Sequence, residues 1–140
     1  MRQSGVVDLA KGPRIQVRVT IFPANVTEVV WFLIDTGATF TQVSEGDFLK
    51  LGIQRDKLQE TDEVIFTAGN VLKQYVYPEH VRLNLVGKNY DFEPMRALLF
   101  QGNDPAERKA FLENVNSILG RDIILRHKMT LRRLNVVLES

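Results

Sequence analysis

Regular patterning begins at Arg14. Over RIQVRVTIF, residues 14–22, Ile15, Val17, Val19 and Ile21 alternate with Gln16, Arg18 and Thr20, the period of a strand with one buried face. Pro23 to Asn25 supply a turn. EVVWFLID, residues 28–35, is a nearly continuous apolar run rich in β-branched and aromatic residues. It reads as a buried strand that runs into a loop at Asp35. Ser44 is placed to cap a short helix, with Asp47 returning the bond three residues on, and Gly52 to end it in a left-handed turn. DEVIFTAGNVLKQYVYP, residues 62–78, reads as a hairpin with Thr67 to Asn70 at its tip. HVRLNLVGKNYDFEPM, residues 80–95, reads as another, turning at Gly87 to Asn89.

NDPAERKAFLENV, residues 103–115, carries a helix start: Asp104 as cap, Pro105 in the first turn, Glu107 closing the box. SILGRDIILRHK, residues 117–128, holds a short apolar run, a glycine and one or two helical turns. MTLRRLNVVLES, residues 129–140, is strand-like, whereas the first 13 residues are polar and read as a loose lead-in. These elements predict one mostly β domain over residues 1–140, with two or three short helices.

Bulk properties narrow the function. The chain has 140 residues, 44% hydrophobic and 25% charged, enough for one domain with a real core. A formal net charge of +1 draws it neither to nucleic acid nor to an anionic membrane. The absence of cysteine excludes a disulfide scaffold, a thiol nucleophile and a cysteine-ligated zinc site. His80 and His127 are unclustered, so neither a metal nor a cofactor is expected. No run approaches the ~18 apolar residues of a membrane span, and residues 1–13 lack the apolar core of a signal peptide. A reducing, cytoplasmic setting fits these features.

The chemical signal is Asp35-Thr36-Gly37-Ala38-Thr39, preceded by Phe32-Leu33-Ile34. A carboxylate at the end of a buried strand is costly unless it is hydrogen-bonded or functional. Gly37 lets a backbone N–H come close to it, and the Thr36 hydroxyl can donate and accept. The bland reading is a loop aspartate that closes a turn. Asp47, Asp56 and Asp62 stand in helix-cap or loop contexts and read as solvated.

Further landmarks follow in order. Val43-Ser44 leads into a helix ending Leu51-Gly52-Ile53. Phe66-Thr67-Ala68-Gly69-Asn70 is followed by Tyr75-Val76-Tyr77-Pro78, and Ile118-Leu119-Gly120-Arg121-Asp122-Ile123-Ile124 comes last. With the Asp35 motif, this series resembles the retropepsin family, the retroviral-type aspartic proteases and their cellular relatives, from about Arg14 onward.

The resemblance implies a closed β-barrel, the single lobe of the acid-protease fold. It implies an aspartic endopeptidase acting on peptide or unfolded protein as a homodimer, because the chain holds a single Asp-Thr-Gly. Asp35 of each subunit would share one proton, one carboxylate activating a water and the other protonating the peptide carbonyl. Thr36 and Gly37 would position Asp35, with Thr36 bonding across the two-fold axis. Arg121 would organise the site loop, and Thr67, Ala68, Gly69 and Asn70 would form a flap over the substrate. Ala38 cannot hydrogen-bond the outer carboxylate oxygen, which predicts activity extending to mild acidity or near neutrality. Thr39 stands where viral members carry an acidic partner for the arginine, so Arg121 is expected to turn to backbone carbonyls or Asp122. Residues 102–116 read as a helical insertion relative to compact viral members, and LRRLNVVLES as the dimer strand. The alternative is a catalytically silent or dormant dimeric peptide-binding or scaffolding domain of the same fold.

Overall fold

The computed structural model describes residues 1–67 and 69–140. Its larger sheet holds β1 (Arg2–Asp8), β2 (Gly12–Ile21), β3 (Val26–Ile34), β7 (Val81–Leu85), β8 (Lys88–Phe92), β10 (Ser117–Leu119), β11 (Lys128–Leu131) and β12 (Asn135–Glu139). The smaller sheet runs β4 (Val43–Ser44), β9 (Met95–Leu98), β6 (Asn70–Tyr77), β5 (Gln59–Thr67). The helices are α1 (Glu45–Lys50), α2 (Pro105–Asn114) and α3 (Arg121–Ile124), with a 3-10 turn at Arg55–Lys57. The mostly β class matches the sequence reading; the strands pair as two sheets, and no pairing among the described residues closes a ring.

The alternation of β2 becomes the centre of the core. Ile15, Val17, Val19 and Ile21 are buried, and they pack with Val30 and Phe32 of β3, Leu83 of β7 and Leu138 of β12. Phe48 of α1 and Met95 of β9 belong to the same cluster. The run in β3 is buried on one face only: Val30, Phe32 and Ile34 point inward while Val29 and Trp31 are exposed. The Arg14 guanidinium lies 5.3 Å from the Trp31 ring, which gives that apolar surface a cationic cover.

Three other expectations change. The lead-in is the strand β1, paired with β12 on one side and β2 on the other. Its hydropathy hides this because only Gly5 is buried. A Cβ at Gly5 would stand 2.1 Å from the Arg14 carbonyl oxygen, so the strand is built by backbone approach rather than by side-chain burial. The β7–β8 turn is Val86-Gly87, both at positive φ, one residue earlier than the glycine suggested. The C-terminal stretch is a hairpin, and β12 is paired inside its own chain with both β1 and β11.

The helical seam sets the frame for the site. Ser44 caps α1 by accepting from the Asp47 N–H, but the Asp47 carboxylate does not return the bond. It accepts instead from the Ser117 hydroxyl at 2.6 Å, which ties α1 to β10. Glu45 is buried and accepts from Arg55, Arg108 and the Phe100 N–H. A buried carboxylate needs such partners, and here they fasten α2 to α1. Asp104 caps α2 by accepting from the Ala106 N–H at 2.9 Å.

Candidate active site

Two strands deliver the site. β10 runs parallel to β3, with Ser117 beside Phe32 and Leu119 beside Ile34. Asp35 and Gly120 therefore leave the sheet side by side, and the Asp35 N–H donates to the Leu119 carbonyl at 3.0 Å. The loop then folds back. The Gly37 N–H donates to Asp35 Oδ1 at 2.9 Å, and a Cβ on Gly37 would stand 3.2 Å from that oxygen. The Ala38 N–H donates to the Asp35 carbonyl at 3.2 Å. Asp35 and Ala38 are half-buried; Thr36 is exposed, and its hydroxyl makes no hydrogen bond among the described residues.

The second landmark braces this loop. The Arg121 N–H donates to the Ala38 carbonyl at 2.8 Å, and the Asp122 N–H to Thr39 at 3.3 Å. The Arg121 guanidinium donates to the Thr39 hydroxyl at 2.9 Å, so residue 39 remains its partner through a hydroxyl instead of a carboxylate. Asp122 is taken by Thr41, accepting its hydroxyl at 2.6 Å and its backbone N–H. The same Thr41 hydroxyl accepts from the Gly120 N–H at 3.0 Å, a buried relay from one loop to the other. Gly120 has no room for a side chain, since a Cβ would lie 2.5 Å from the Phe40 carbonyl carbon.

Asp35 opens onto a cleft of about 1030 Å³. Its floor is Asp35, Gly37, Ala38, Thr39, Phe40 and Gln42; its wall is Asp62 to Phe66, with Gln74 and Arg96. The wall thus comes from the side of β5, which among the described residues pairs with β6 alone, at the edge of its sheet. Of the four expected tip residues, Ala68 lies outside the described residues, Thr67 pairs with Asn70 by backbone, and Gly69 and Asn70 are exposed. Gly69 has φ 80°, the left-handed backbone a tight tip asks of glycine.

The sequence reading missed the wall. Arg96 donates to Glu63 at 2.5 Å, and its guanidinium lies 3.8 Å from the Phe40 ring centroid. One arginine thereby joins β9, β5 and the Asp35 loop. Asp62 lies in β5 and lines the cleft, which corrects its reading as a loop or cap residue. Its signal was the polar run Thr61-Asp62-Glu63 interrupting a strand, which only register could interpret. Among the described residues, no group of three His, Asp or Glu side chains could hold a metal ion. Among the described residues, no helix is long and apolar enough to cross a membrane.

Residues 10–123 match the family model described as Aspartyl protease. No curated protein matches the chain. The fold is similar to that of a retropepsin-like aspartic protease from Rickettsia conorii, at 21% identity and TM-score 0.57, over 99% of this chain and 89% of that one. It is similar also to the EIAV protease solved with the inhibitor HBY-793, at 19% identity and TM-score 0.56, over 89% of this chain and 97% of that one. At these identities the two likenesses establish a shared retropepsin-like fold.

Proposed function

The chain belongs to the aspartyl protease family, and we propose that it is an aspartic endopeptidase whose working form is a homodimer with one Asp35 from each subunit. The observation that carries this reading is the placement of Asp35, half-buried, braced by Gly37 and Leu119, and open to a large cleft. One carboxylate cannot both take a proton from water and give one to the peptide carbonyl in the same step. Two carboxylates sharing one proton can, because like charges at contact distance do not both ionise. The chain supplies one Asp-Thr-Gly, so the second comes from a copy related by a two-fold axis through the site. The exposed Thr36 hydroxyl supports this, since it is free to bond across such an axis.

The reaction then follows in two steps, addition of water and loss of the amine. The ionised Asp35 takes a proton from the water as its oxygen attacks the peptide carbonyl carbon. The protonated Asp35 of the other subunit donates to the carbonyl oxygen, giving a neutral tetrahedral diol. The Asp35 that took the water's proton then passes it to the amide nitrogen while the other takes one from a diol hydroxyl, so the C–N bond breaks, the amine and the acid leave, and the dyad again holds one proton. The unpaired edge of β5 along the cleft supports an extended substrate, which can add to it by main-chain hydrogen bonds. Phe40, Val64 and Phe66 favour apolar side chains there. Ala38 lines the same floor with a methyl group, which fits activity into mild acidity or near neutrality.

The test is cleavage of a diverse library of unfolded peptides from acidic to neutral pH, across a series of protein concentrations. Cleavage that rises with dimer formation and disappears in Asp35→Asn is the expected result. A folded dimer that binds peptides and cleaves none would establish the binding-domain alternative.

A further inference from the structure

The wall strand β5 does not run evenly against β6. Glu60 pairs with Tyr75 and Val64 with Lys73, so Thr61, Asp62 and Glu63 face Gln74 alone. This bulge holds two extra residues, and it is locked. The Thr61 hydroxyl donates to the Gln74 carbonyl at 2.9 Å and accepts from the Glu63 N–H at 3.2 Å. Bulges beside active sites re-aim side chains, and this one directs both acidic residues at the cleft.

The two carboxylates have different fates. Glu63 is paired with Arg96, which the Phe40 ring also engages. Lys73, the cation of the β5–β6 hairpin, is paired with Glu60 at 2.7 Å. Asp62 is exposed in the cleft and has neither an ion pair nor a hydrogen bond among the described residues. Among the described residues, the wall therefore carries one uncompensated carboxylate per subunit, on a different element from Asp35. Two-fold symmetry would place one on each side of the scissile bond.

We propose that Asp62 is a specificity-determining residue that selects substrates bearing a lysine or arginine within the segment held in the cleft. The inference rests on the peptidase reading and names a preference within it: apolar groups against Phe40, Val64 and Phe66, a cation against Asp62. Acidic substrate residues at the same place meet repulsion. The effect of one partly exposed pair is about fivefold in kcat/KM, and it fades as salt screens it.

The experiment uses peptides identical except for Lys, Gln or Glu at successive positions on either side of the scissile bond. Cleavage is read on the wild type, Asp62→Asn and Asp62→Lys, and binding by fluorescence anisotropy on Asp35→Asn. At one position, or a symmetric pair, Lys exceeds Glu by about fivefold; the ratio falls to about one in Asp62→Asn and inverts in Asp62→Lys. Equal Lys and Glu values at every position overturn the proposal, as does a preference that survives Asp62→Asn. Should the wild type cleave nothing, the peptidase reading falls, and the anisotropy ratio with and without Asp62→Asn still decides the role of Asp62. Asp62 is exposed and unpaired, so its substitution leaves the fold intact, which the melting temperature checks.

Discussion

The floor and the wall of the cleft are built on opposite plans. The floor is cross-braced by hydrogen bonds between two loops far apart in sequence: Asp35 to Leu119, Ala38 to Arg121, Gly120 to Thr41, Thr41 to Asp122. The wall is an edge strand held by surface ion pairs and one hydroxyl-locked bulge, with Phe66 77% and Val64 48% exposed. Low-barrier opening belongs to regions of few buried contacts, while a reacting carboxylate must not wander. On the proposed function, the same chain would supply a stiff seat for the chemistry and a more loosely held side along which a peptide could enter.

The sharpest way to break this contrast is to change the seat. Asp35→Asn is isosteric and keeps an oxygen for the Gly37 N–H, yet it removes the acid–base group. We expect a loss of about a thousandfold or more in peptide cleavage with an unchanged melting temperature. Gly120→Ala forces a methyl group against the Phe40 backbone, at a cost of about 3 kcal/mol, seen as a lowered denaturant midpoint together with lost cleavage. Thr41→Val strands the Gly120 N–H and takes a partner from Asp122, for about 2 kcal/mol in equilibrium unfolding.

Changes to the wall should be milder. Glu63→Gln breaks an exposed pair and releases Arg96, with a stability loss of about 1 kcal/mol or less. Its mark should fall on KM more than on kcat, because the Asp35 loop is braced elsewhere. A KM left unchanged would remove the wall from substrate contact.

A last effect lies outside both regions. Burial holds the pKa of His127 below its ordinary value, beside the Tyr90 hydroxyl at 2.5 Å. The unfolded chain then binds the proton first, so stability contributed by neutral His127 is present above about pH 6.5 and declines as pH falls below it. Melting temperature against pH should show this decline, and His127→Gln should flatten it. The acidic arm of any activity profile needs that control.

The legibility of the sequence follows the same division. The seat could be read because its chemistry is local: a carboxylate, a glycine and a hydroxyl in consecutive positions. The Gly-Arg-Asp run could be placed beside it only by resemblance, and the Thr39–Arg121 bond was not foreseen because a hydroxyl had replaced an acid. The wall was opaque because Arg96, Glu63 and Phe40 meet from three separate elements, and because Asp62 depends on a two-residue shift in register. In the fold, β2 announced itself by alternation, whereas β1 did not, since its place is determined by what Gly5 lacks.

The position of β12 has one more consequence. Val136, Val137 and Leu138 are buried, and neighbours occupy both edges of the strand. Such a strand is interior framework, not a segment to be traded between copies. In the proposed homodimer two subunits would therefore meet as finished bodies, with no refolding at the moment of contact. A subunit that left such a dimer would keep its architecture, so on that proposal dilution would lower cleavage without denaturing the chain.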